Sequence, residues 1–144
     1  MKILRGLAVV LLIFGLVLVR KYETVLFYDP LLSFFKGDFQ QLNFPDIELV
    51  RHLLSISSRY ALNSIITLGI IYLGFKDLKI TKFSFVILIL FYFLFILLYS
   101  YFIHIEFEKA FTAGFYVRRF LLQPIMLLIL VPAIWFYNKK KTAN

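Results

Sequence analysis

Residues 83–103 read FSFVILILFYFLFILLYSYFI, an unbroken apolar run without a single charged side chain. A helix needs about 20 mostly apolar residues to cross the hydrocarbon of a bilayer, with a range of roughly 17–25. This run meets that requirement unaided. It is bulky and lacks small residues four apart, so close backbone dimerisation through it is not expected.

Three further apolar segments flank it, at 3–19, 60–75 and 120–137. They reach spanning length once their polar flanks snorkel to the boundary or join the helix. Composition agrees: of 144 residues, 62% are hydrophobic and 18 are Phe. A soluble domain has about 45–50% apolar residues, and such an excess is hard to bury in a water-soluble globule of this length. The expected fold class is an all-α membrane protein, one integral domain over 1–144. It has four transmembrane helices and an amphipathic, aromatic-rich external loop between the first two.

The first segment has a basic start at Lys2 and Arg5, as a signal peptide would. Arg20-Lys21-Tyr22-Glu23 follows it, without a small-x-small cleavage pattern, so an uncleaved helix is expected. The fourth segment contains Pro124 and Pro132. Proline removes a backbone donor and crowds the preceding turn, so kinks are expected. The carbonyls so freed need a neighbouring helix, a side chain or water.

With four spans, the termini and the 76–82 loop share one side. That side holds Lys2, Arg5, Lys76, Lys79, Lys82, Lys139, Lys140 and Lys141, in short segments. The other side carries as many basic residues over longer loops, with seven of the eight acids. Basic density in short loops marks the cytoplasmic face, and acids count little. Both termini are therefore expected in the cytoplasm, although Arg20-Lys21 and Arg118-Arg119 pull the other way. The net charge of +8 is distributed as short boundary clusters. That pattern fits helix orientation and anionic lipid, not nucleic acid.

The 20–59 loop contains LFYDPLLSFFKGDFQQLNF, dense in aromatics and in turn signals around Asp29-Pro30 and Lys36-Gly37-Asp38. Aromatics at this density belong at the head-group level. Asp46 is a candidate cap for a helix through DIELVRHLLSI, where Ile47, Val50, Leu53 and Leu54 keep helical spacing. That helix either lies on the membrane surface or runs on into the second span through Arg59-Tyr60.

Arg59 and Asn63 share a helix face at the entrance of the second span. Arg118 and Arg119 stand at the entrance of the fourth, with Gln123 one turn beyond. Converging, these five could hold a phosphate, a carboxylate or a lipid head group, because the arginine fork pairs with such groups. The plainer alternative is snorkelling, or ion pairs with Asp29, Glu106 or Glu108. The stripe Phe107, Phe111, Phe115, Tyr116 and Phe120 reads as an amphipathic turn in core or lipid contact, with Gly114 a candidate break.

Little points to catalysis. There is no cysteine, hence no disulfide, thiolate metal site or cysteine nucleophile. His104-Ile105-Glu106 lacks metal spacing, and no P-loop, dinucleotide fingerprint or zincin motif is present. No metal, cofactor or enzymatic activity is expected. A general base at His104 with Glu106 is the weakest reading. An ion path is disfavoured by charge-free spans and the lack of an internal repeat.

Three stretches in this order, RKYETVLFYDPLLSFFKGDF, RYALNSIITLGIIYLGF and FEKAFTAGFYVRRFLLQPIMLLILVPAIWFY, resemble the exosortase F system-associated proteins. These are small membrane proteins of Bacteroidetes, encoded beside an exosortase. The likeness runs from about Arg20 to Tyr137. It rests on FYDPLL, RYALNS and FYVRRFLLQP in combination. It implies the bacterial inner membrane, a multi-pass protein and an exosortase as partner alongside membrane lipids. Exosortases are thought to sort exported proteins by cysteine chemistry, which this chain cannot perform. The resemblance implies an accessory or assembly role, with Tyr28, Asp29 and Pro30 as an interface loop. The alternative is a protein that binds anionic lipid or glycolipid through Arg59, Arg118 and Arg119.

Overall fold

The computed structural model describes residues 1–37 and 43–143, and the expected turn residue Asp38 lies outside them. The regular elements among the described residues are all helices: α1 (Lys2–Lys21), α2 (Glu23–Leu26), α3 (Leu31–Lys36), α4 (Leu49–Phe75), α5 (Leu78–His104), α6 (Phe111–Leu122) and α7 (Ile125–Ala143). Three of these, α1, α4 and α5, are long and apolar enough to cross a membrane, and α6 with α7 makes a fourth if the bent pair is one span.

α4 is the central helix. Of its most apolar stretch 39% is buried, against 6% for α1 and 17% for α5. α1 lies along it where both chains are small. Gly69 sits under Leu12, and a Cβ there would come within 3.2 Å of the Leu12 side chain. Gly15 faces Ile66 in the same seam. Absent side chains let two helices approach closely without relying on hydrophobic exclusion of water, which is weak in lipid.

α4 and α5 form a hairpin across Lys76 and Asp77 alone. Lys76 closes α4 in the left-handed conformation, at φ 53°. Asp77 opens α5 by accepting hydrogen bonds from the backbone N–H of Lys79 (2.8 Å) and Ile80 (3.3 Å), as an N-cap carboxylate does. Inside α5 the hydroxyls of Ser84 and Ser100 donate to the carbonyls of Ile80 and Ile96 one turn back. The helix thus satisfies its own polar groups, as a segment in lipid must.

Several expected boundaries change. The span expected at 60–75 is the C-terminal part of a longer helix that begins at Leu49, so the DIELVRHLLSI segment runs on into it. Asp46 does not cap it; the N-cap is Glu48, which makes no side-chain cap bond. The run at 83–103 starts earlier, at Leu78, because Asp77 supplies the cap. The expected 120–137 helix is broken. α6 stops at Leu122 and α7 starts at Ile125, with a 68° bend between them. Pro124 explains the break, since it has no N–H to continue the ladder. Pro132, by contrast, lies inside α7.

The aromatic-rich loop is partly core. Leu31 and Phe34 of α3 are buried in the end of the bundle. Phe34 meets Phe44 at 5.6 Å between ring centroids, and Phe35 meets Phe107 at 5.1 Å. Phe107 enters this cluster from a turn in which Glu106 and Phe107 are both left-handed, at φ 52° and 57°. Such a conformation costs a non-glycine residue roughly 1–2 kcal/mol, and burial of the Phe107 ring offsets it. Gly114 does not break α6. It lies within the helix because the Phe107 ring occupies the space a side chain would need.

Candidate functional site

The charged residues gather where the 22–37 segment folds over the bundle end. Tyr22–Leu26 follows α1 directly, so Glu23 stands just past its last turn. The Glu23 carboxylate forms an ion pair with Arg59 of α4. Asp29, next to the pre-proline turn, forms another with Arg118 of α6. All but a few per cent of the Arg59, Arg118 and Asp29 side chains is withdrawn from solvent, and Glu23 is 12% exposed. Both guanidinium groups also rest against phenyl rings, Arg59 over Phe27 at 5.7 Å and Arg118 over Phe35 at 5.2 Å. The pairs hold a loop to two helices far apart in sequence.

A second set of bonds surrounds them. His52 Nε2 and the Tyr99 hydroxyl share a buried hydrogen bond of 3.0 Å, and both groups lie in the field of Asp29 and Arg118. Ser57 and Tyr92 share one of 2.6 Å. The Tyr60 hydroxyl donates to the Leu88 carbonyl at 2.7 Å. α4 and α5 are therefore joined by three hydroxyl contacts along one seam.

Asn63 has a specific task. Its Nδ2 donates to the Leu122 carbonyl at 3.0 Å. Leu122 ends α6, and the bend at Pro124 turns away the next turn, whose Met126 N–H would otherwise serve its carbonyl. The Asn63 side chain reaches across from α4 to complete a helix end. An Asn63→Leu protein is expected to lose about 1–3 kcal/mol, the cost of a buried unpaired carbonyl. Thermal unfolding in mild detergent, followed by circular dichroism, checks this. An unchanged midpoint would mean that water replaces the amide there.

The five expected ligand residues do not form one open cluster. Arg59, Asn63 and Arg118 are turned inward, to Glu23, the Leu122 carbonyl and Asp29. Arg119 is exposed, and its Nε donates to Gln123 Oε1 at 3.0 Å. Of the interface-loop residues, Tyr28 and Pro30 are half-buried, and Tyr28 lies under the Arg51 guanidinium at 4.4 Å. The Asp29 side chain is 4% exposed and already engaged, so it is not available to a partner.

Glu23, Arg20 and Lys36 are not among the site residues expected from the sequence, where they figure only as helix flanks and a turn. A signal existed for Glu23: an acid immediately beyond a span, beside Arg20, is well placed to neutralise an arginine on a neighbouring helix. Arg20, Lys36, Arg119 and Gln123 line a cleft of about 360 Å³ with Arg118 and Glu23. His104 and Glu106 are exposed and make no side-chain hydrogen bond or ion pair among the described residues. Among the described residues no group of three or more His, Cys, Asp or Glu is arranged to hold a metal ion.

Comparison of the chain with family models, with curated proteins and with solved structures finds no match.

Proposed function

We propose that this chain is a non-catalytic accessory or assembly subunit of an exosortase-type sorting system in the bacterial inner membrane. In this reading it crosses the membrane four times, with α6 and α7 together forming a broken last span and both termini in the cytoplasm. One observation carries the proposal. The three stretches behind the family resemblance meet in space as joints. Asp29 of FYDPLL pairs with Arg118 of FYVRRFLLQP, and Asn63 of RYALNS caps the helix that ends at Leu122 of the same stretch. Arg59, also of RYALNS, pairs with Glu23. Such residues serve to hold a shape. Buried ion pairs contribute little net stability but fix which groups come together. A chain that uses its polar residues this way presents a fixed surface for another protein to recognise.

The apolar exterior supports the membrane part of the reading. Side chains such as Leu11, Phe14, Phe93, Leu97 and Trp135 are more than half exposed. In water this would be an aggregation hazard; in lipid it is ordinary. A groove of about 520 Å³ between α4 and α5, bordered by Ala61, Ser64, Phe85 and Ile89, offers space for a lipid chain or a neighbouring helix.

The expected result of a native pull-down from mildly solubilised membranes is a stoichiometric exosortase, identified by mass spectrometry. Repeated recovery of the chain without it, under conditions that keep other membrane complexes intact, rejects the accessory role.

A further inference from the structure

We infer that the cleft between the ends of α1, α3 and α6 binds the phosphate of an anionic membrane lipid. The inference rests on the long apolar helices lying in a bilayer, and not on an exosortase partner.

The charge balance points to an anion. Around the cleft stand Arg20, Lys36, Arg118 and Arg119, with Arg59 behind Glu23. Against these five bases stand two acids, Glu23 and Asp29. Three positive charges are left over. The cleft also meets three helix C-termini, because Arg20, Lys36 and Arg119 occupy the last turns of α1, α3 and α6. Each such end carries about half a negative charge at most, so three of them cancel only part of the surplus. Cations at helix C-termini are common for that reason alone; here they exceed what the helix ends and the acids together neutralise.

Arg20 is spent in part, its guanidinium 3.9 Å from the Glu23 carboxylate that Arg59 also holds, but three further donors of the cleft stand unspent. The Arg119 Nε is held by Gln123, which orients the guanidinium plane. Its terminal nitrogens make no hydrogen bond among the described residues, so the fork is free to take two oxygens of one phosphate. Lys36 has no ion pair among the described residues. The buried Nε–H of Arg118, which lines the cleft, has no partner there either. A volume of about 360 Å³ lies at the small end of the roughly 300–1,000 Å³ typical of ligand sites. Leu32, Phe35 and Phe115 give the cleft an apolar wall. Its place at the end of α1, the helix with Arg20 and Lys21 in its last turn, puts it where head groups would lie.

The test uses the full chain in a neutral detergent with added phosphatidylglycerol or phosphatidylcholine, read by native mass spectrometry. Retention of phosphatidylglycerol over phosphatidylcholine is expected. In an Arg20→Gln/Lys36→Gln/Arg119→Gln variant affinity should fall roughly a hundredfold, since each basic residue near anionic lipid contributes about a factor of five. A Lys139→Gln/Lys140→Gln/Lys141→Gln variant, equal in charge change, should retain the lipid. Retention by the first variant, an equal loss in the second, or no preference in the unaltered chain overturns the site. If the first variant loses helicity, Arg119→Lys with Gln123→Leu decides the matter. It keeps the charge but removes the oriented fork, and undiminished binding would reject the site. Millimolar inorganic phosphate binding without lipid preference would assign the cleft to a free phosphate and overturn the lipid source. Recovery of the chain from native membranes without an exosortase, together with this lipid preference, would end the accessory proposal and leave this one standing.

Discussion

Removing the Arg118 guanidinium by Arg118→Ala is expected to cost about 3–5 kcal/mol, the usual penalty for stranding a buried charge. Asp29 would keep its carboxylate in a site where its side chain is 4% exposed, with one oxygen already lacking a partner. The same argument gives the signature that separates a buried pair from a surface one. Asp29→Ala/Arg118→Ala should be more stable than the sum of its single variants predicts, since no charge is stranded in it. A double-mutant cycle in detergent, with unfolding followed by circular dichroism, should show a coupling well above the 0–1 kcal/mol of an exposed pair. A coupling within that range would mean that solvent reaches the pair. Arg118→Lys should recover only part of the loss, because an ammonium cannot reproduce the fork or its contact over Phe35 at 5.2 Å.

Gly114→Ala should reverse the ordinary sign of such a change. In the middle of a helix this substitution normally stabilises by roughly 0.5–1 kcal/mol. Here the new Cβ would fall inside contact distance of the Phe107 ring. That ring is 2% exposed and packed among Phe34, Phe35, Phe44 and Tyr99, so it has little room to yield. Overpacking of this kind costs about 1–3 kcal/mol. Gly74→Ala is the matched comparison, because its Cβ would meet nothing within 4 Å. It should be neutral or slightly stabilising. Pairing Gly114→Ala with Phe107→Leu should lose less than the two changes add up to, by relieving the collision. Equal behaviour of Gly114→Ala and Gly74→Ala would show that the Phe107 turn moves aside freely.

The helices were legible because apolar run length depends only on local composition. Residues 83–103 announced α5, and Pro124 announced a kink in the 120–137 helix, where the structure has a full break between Leu122 and Ile125. The need for an outside donor near Pro124 was legible too, but not that Asn63 supplies one. Whether the DIELVRHLLSI helix runs on into the span at 60–75 stayed open in the sequence, because Arg51, His52 and Arg59 interrupt the apolar pattern there. Their cost is met by Tyr28, Tyr99 and Glu23, which are distant in sequence. Gly114 misled for a related reason. Its role lies in a ring seven residues away, brought back by a left-handed turn that no local pattern advertises. For the arginines, Asp29 was among the partners weighed for an ion pair, while Glu23 was not. What tertiary contact decides, a single sequence shows only as a set of options.

α4 and α5 have 27 residues each. At a rise of 1.5 Å per residue such helices measure about 40 Å, whereas hydrocarbon is about 30 Å thick. The pair is joined at one end by two residues and in the other half by the hydroxyl bonds of Tyr99, Tyr92 and Tyr60, so the surplus cannot be absorbed by one helix sliding past the other. Both must lean together, or both must stand proud together. A thicker bilayer would draw the pair upright and pull the arginine level toward the lipid tails; a thinner one would lay it over. In a bilayer such a hairpin would follow the bilayer's thickness, and the depth of the charged joint would change with it.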